Sequence, residues 1–173
     1  MVPSRLLAAA ALAAALAVPA TAGAAQRATE SHRASVPKIK TSTPLSAAAT
    51  VGRRYWGAVP CHGKIKVVAQ RPVAAGLDPA TDAWVTFDSV LGANNLAAPA
   101  SSYTNCTIAF ARWRWPTSAS MREDWDILCT TMIHELGHLL GRAHDSTPGS
   151  VMAPVFTDYS SVPAMCRAAR PRR

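Results

Sequence analysis

Polar and apolar residues alternate through Lys64-Ile65-Lys66-Val67-Val68-Ala69, the two-residue repeat of a strand with one wet face. Trp84-Val85-Thr86-Phe87 and Thr107-Ile108-Ala109-Phe110 are two further short runs of strand-forming residues. Turn formers separate the three: Gly76-Leu77-Asp78-Pro79 in one gap and Gly92-Ala93-Asn94-Asn95 in the next. The repeat then changes period. Met121, Trp125, Leu128, Cys129, Met132, Leu136 and Leu139 recur at steps of three and four, which predicts one long helix with a buried face. Ser120 and Glu123 have the spacing of a capping box at its start, and Gly141 stands where glycine commonly ends a helix. The expected helix is about twenty residues long.

The N-terminus has a different pattern. Arg5 precedes an Ala/Leu-rich run over residues 6–18, Pro19 breaks it, and small-x-small sites follow at Ala20-Thr21-Ala22 and Ala22-Gly23-Ala24. That layout predicts a secretory signal over residues 1–24, since the apolar run falls short of the ~20 residues a membrane span needs. Residues 25–50 hold Ala, Ser, Thr, Pro and charge with almost no large apolar side chain. They read as a flexible leader, and the domain is expected over residues 51–173.

Export alters the reading of Cys61, Cys106, Cys129 and Cys166. An even number in an oxidising compartment predicts two disulfides, with three pairings open in principle. Cys61 with Cys106 is favoured because each immediately precedes a strand-like run. Cys129 with Cys166 would tie the tail to the long helix. The net charge of +8 is spread along the chain, apart from arginines crowding the tail and Arg112 and Arg114 alternating with Trp113 and Trp115. For an exported protein this charge fits solubility or adhesion to an acidic envelope, and nucleic acid is not expected as a partner.

The chemistry lies at the end of the long helix, in His134-Glu135-Leu136-Gly137-His138-Leu139-Leu140-Gly141-Arg142-Ala143-His144. Histidines four apart project from one helix face, so His134 and His138 can reach one ion at ~2.0–2.1 Å. Gly141 lets the backbone turn so that His144 returns as a third ligand, leaving the fourth position to water as in catalytic zinc sites. Glu135 points beside the ion, placed as general base for a zinc-activated water. Five fixed positions would recur in roughly one chain of this length in 10⁵ at average residue usage.

His134 through Asp145 resembles the zinc-binding consensus of the metzincin metalloendopeptidases. The continuation from Ser146 to Pro154 is most similar to the matrixin branch, including its bacterial secreted members. The resemblance implies an α+β zincin domain, with a twisted, mostly parallel sheet packed on the active-site helix and a short C-terminal helix. It implies that Met152 is the Met-turn residue beneath the metal and that Pro154, Val155 and Phe156 wall the substrate pocket. It also implies a single catalytic Zn²⁺ and a protein or peptide substrate lying extended in the cleft, with a monomer expected. Asp145 resembles the reprolysin pattern more than the usual matrixin serine and reads as a supporting residue, not a ligand. Metzincins generally carry a long helix between their first two strands, and residues 70–83 are too short and too rich in Pro and Gly for one. The propeptide cysteine motif of matrixin zymogens is absent, and Tyr159 lies too far past Met152 to match the extra ligand of astacins. Asp78, Asp82, Asp88, Asp124 and Asp126 form no calcium loop, so calcium has no support. The alternatives are a secreted zinc hydrolase of cell-wall material and a non-catalytic zinc-bearing extracellular module.

Overall fold

The computed structural model describes residues 43–155 and 162–171. The signal expected over residues 1–24, the leader up to residue 42, Phe156 and Tyr159 lie outside the described residues.

The first element is a helix that the sequence reading placed partly in the leader. Helix α1 spans Pro44–Trp56, so the boundary expected at residue 51 falls inside it. Thr43 caps it by accepting a hydrogen bond from the Ser46 N–H at 3.2 Å, and Pro44 occupies the first turn, where its missing N–H costs nothing. Its buried residues include Pro44, Ala47, Ala48, Val51 and Gly52, a stripe at helical spacing that packs against the long helix. The stripe escapes a search for large apolar residues because most of it is alanine and glycine.

Strands β1 (Ile65–Gln70), β2 (Ala83–Asp88) and β3 (Thr104–Ala111) follow. They form one sheet in the order β1-β3-β2. β1 runs parallel to β3 with Ile65 opposite Cys106, whereas β2 runs antiparallel to it with Ala83 opposite Phe110. The sheet is therefore mixed, not mostly parallel as expected. Central β3 is covered on both faces, and Cys106, Ile108, Ala109, Phe110 and Ala111 are all buried. That explains its continuous apolar run where β1 alternates. Between β1 and β2 stands only a 3-10 turn, Pro72–Ala75, and the long helix α1 precedes β1 instead.

The predicted twenty-residue helix is two helices. α2 (Ser118–Glu123) is capped by Thr117, whose hydroxyl accepts from the Ser120 N–H while the Ser120 hydroxyl accepts from the Thr117 N–H, both at 3.1 Å. The capping box is thus Thr117–Ser120, not Ser120–Glu123. At Asp124 the backbone leaves helical geometry, with φ −95° and ψ 30°, and α3 restarts at Trp125–Leu139. The carboxylate of Asp124 is engaged in this break. It accepts from Trp115 Nε1 at 3.0 Å and pairs with Arg114 at 3.3 Å, while Arg114 also reaches Asp82 at 3.0 Å. One cluster thereby joins the start of β2, the end of β3 and the α2–α3 junction.

α3 runs through the core. Leu128, Met132, Ile133, Leu136 and Leu139 are fully buried with Trp125, Trp115, Tyr103 and Phe110. Two disulfides pin the periphery to it: Cys61–Cys106 ties the turn before β1 to β3, and Cys129–Cys166 ties the short helix α4 (Ala164–Ala168) to α3. Trp125 Nε1 reinforces the second link by donating to the Cys166 carbonyl at 2.7 Å. No helix among the described residues is long and apolar enough to cross a membrane.

Candidate metal centre

The last two turns of α3 carry His134 and His138 on one face, both buried. Each ring is oriented by a backbone carbonyl. His134 Nδ1 lies 2.8 Å from the Val151 carbonyl, and His138 Nδ1 lies 2.8 Å from the Arg142 carbonyl. A carbonyl oxygen can only accept, so both Nδ1 atoms carry the proton and both Nε2 atoms present lone pairs. The two Nε2 atoms are 3.0 Å apart.

His144 joins them because the helix ends in a left-handed turn. The Gly141 N–H bonds to the His138 carbonyl at 2.9 Å and the Arg142 N–H to the Gly137 carbonyl at 3.0 Å, the paired bonds of a Schellman motif. Gly141 has φ 79°, a conformation a side chain would strain. The reversed chain brings the His144 ring within 5.2 Å of His134 and 4.8 Å of His138, centre to centre. Ligand atoms of the three lie within 4.8 Å of one another.

The following loop folds back beneath the cluster. The Asp145 N–H donates to the Met152 carbonyl at 2.9 Å, and the Asp145 carboxylate accepts from the Thr147 hydroxyl at 2.6 Å and the Thr147 N–H at 2.9 Å. Those bonds hold the Asp145 carboxyl below its ordinary range. Asp145 organises the loop and stands outside the histidine group. Met152 is buried against Gly137, where an added Cβ would collide with its sulfur and lie 3.0 Å from the Trp56 ring.

Electrostatics suit a cation. Burial pushes His134 down to about 4, with the neighbouring histidines adding to the shift against the Val151 bond. Burial also lowers His138. Both rings are therefore neutral at physiological pH, the form a metal requires. Glu135 is buried too, and burial pushes its carboxyl up to about 8. Two imidazole nitrogens bound tetrahedrally to one zinc stand roughly 3.3 Å apart, close to the separation seen here. Three imidazole nitrogens without a carboxylate among them are a donor set that zinc favours.

The histidines and Glu135 lie in a cleft of about 710 Å³. β2 and the residues leading into it line this cleft, as do Ala153, Pro154 and Val155. Ile127, Thr131 and Glu135, four residues apart, form its α3 side, and Asp82 and Arg114 also line it. Burial raises the Asp82 carboxyl against the opposing pull of Arg114. The sequence reading missed Ile127, Thr131, Asp82 and Arg114; the four-residue step from Ile127 to Glu135 was the available signal for the first two. A sequence model of the matrixins matches residues 79–165.

The chain belongs to the matrixin family.

Family membership and the histidine cluster together support a zinc metallopeptidase. The matched part of this matrixin contains β2, β3, α2, α3 and the whole loop through Met152, but neither α1 nor β1. No curated protein and no solved structure gives a significant match to it.

Proposed function

We propose that the protein is a secreted zinc endopeptidase in which His134, His138 and His144 hold the metal and Glu135 is the general base. The observation that carries this reading is the convergence of three imidazoles beside a buried carboxyl in an open cleft. A zinc ion in the cluster would supply Lewis acidity toward a scissile carbonyl and acidity to an attacking water.

The rest of the chemistry belongs to the chain. Glu135 takes a proton from the attacking water and passes it to the leaving amine. A carboxyl raised by burial to about 8 binds a proton firmly enough to carry it to the leaving amine, and a cation held by the histidines would favour the ionised form that the first step needs. β2 is an edge strand and lines the cleft, so an extended peptide can pair with its outer backbone groups. Pro154 and Val155 also line the cleft and offer an apolar wall to a substrate side chain. Met152 supports the floor of the cluster through Gly137. The signal-like sequence pattern of residues 1–24 and the two disulfides support an extracellular location.

The test is digestion of a casein-type protein by the purified chain, with purified cell wall as the competing substrate. New amino groups from the protein, abolished by a chelator and restored by zinc, are expected. Release from cell wall alone would transfer the site to the cell-wall hydrolase reading, and no release from either would favour the non-catalytic module.

A further inference from the structure

Trp56 ends α1, outside the residues the family match covers, yet it reaches the metal cluster. Its indole N–H donates to the Ile133 carbonyl at 2.8 Å, which fixes the ring against α3. One edge of the ring faces Gly137, the residue before His138, at 3.0 Å from where a Cβ would stand. Over its face sits the Arg142 guanidinium, 4.3 Å from the ring centre. Arg142 supplies the carbonyl that accepts from His138 Nδ1 at 2.8 Å. A continuous path of contacts thus runs from α1 through the cation–π pair to the orientation of a histidine.

We propose that Trp56 and Arg142 act together as positioning residues of the metal centre, holding the Arg142 carbonyl where it fixes the tautomer and aim of His138. The inference rests on the assignment of His138 as a ligand. Its physical basis is the exposure of the segment that carries the carbonyl. Residues 141–149 are all exposed, so between the Schellman bonds and the Asp145 N–H bond to the Met152 carbonyl the segment has little burial to hold it. A guanidinium seated on a tryptophan face is held there by cation–π attraction, which fixes the side-chain direction of the residue that carries it. Without that seat the carbonyl can rotate away from Nδ1. His138 then loses the bond that keeps its proton on Nδ1, and the tautomer with a protonated Nε2 has no lone pair for a metal. Partners of metal-bound histidines commonly govern affinity by about 10–100-fold.

Zinc affinity of the full chain, measured by competition with a chelating dye, tests this. Arg142→Ala and Trp56→Ala should each weaken zinc binding by about two- to fivefold, the factor that a cation–π contact at an exposed site can contribute. The double variant should be no weaker than the poorer single one, because both act through one contact. Arg142→Lys keeps a cation over the ring and should recover most of the loss. The absorption bands of the cobalt-substituted protein should shift in Arg142→Ala, a change that general loss of stability does not produce. Arg142 is exposed, so its alanine variant is expected to fold even where Trp56→Ala does not. Wild-type affinity and an unaltered cobalt spectrum in folded Arg142→Ala would overturn the proposal. A wild-type chain that takes up no zinc would overturn the metal assignment beneath it.

Discussion

The Val151 carbonyl, one residue before Met152, accepts a hydrogen bond from His134 Nδ1 at 2.8 Å. The turn beneath the cluster therefore does more than fill space, since its backbone sets which nitrogen of a buried histidine faces the cleft. His138 is treated the same way by the Arg142 carbonyl. Both acceptors belong to segments that return after the helix has ended, so the donor set is assembled by the loop as much as by α3.

Glu135 is isosteric with glutamine, which keeps the shape of the site and removes the base. Glu135→Gln is expected to bind one zinc per chain and to lose about 10²–10⁴-fold in peptide cleavage. Zinc content and cleavage rate measured on the same preparation check it, and near-wild-type turnover would remove Glu135 from its role.

The buried imidazoles make the metal-free fold sensitive to acid. His134 has a folded value near 4 against an ordinary 6.5, so the unfolded chain takes up the proton more readily in that interval. Its contribution to stability is present in full above pH 6.5 and is lost as the pH falls toward 4. Melting of the chelated protein at pH 7 and pH 4.5 should show a steeper fall for wild type than for His134→Gln. Parallel curves would contradict the assignment of a buried neutral ring.

A Cβ built on Gly137 would meet both Met152 and Trp56, at 3.0 Å from the indole. Methionine can move, but a tryptophan bonded to the Ile133 backbone cannot do so without loss. Gly137→Ala should destabilise the protein by about 1–3 kcal/mol, although alanine is the better helix former. Denaturant unfolding measures the change, and a stabilised variant would mean that the contact is loose.

Removing the Cys129–Cys166 link opens a loop whose ends are 37 residues apart in sequence. Chain-entropy reasoning gives about 3–4 kcal/mol for a loop of that size. The Cys129→Ser/Cys166→Ser double variant should lose that much, as read from its unfolding midpoint. The bond from Trp125 Nε1 to the Cys166 carbonyl should keep α4 attached at low denaturant.

The sequence alone determined the three strands, the histidine spacing and the left-handed turn at Gly141. These features are local: a period of two or four, a glycine at φ 79°, a short run of turn formers. Tertiary structure decided the rest. α1 was missed because its buried stripe is alanine and glycine, which signal burial only when α3 is there to pack against. The direction of β2 depends on its pairing with β3, and nothing within Ala83–Asp88 encodes it. The break at Asp124 is engaged by Trp115 and Arg114, both from the segment after β3, so helical period alone ran straight through it. The spacing of His134, His138 and His144 named the candidate ligands, but their working tautomers come from the carbonyls of Val151 and Arg142. Backbone carbonyls are common to every residue, so only the fold could choose which two would face those rings.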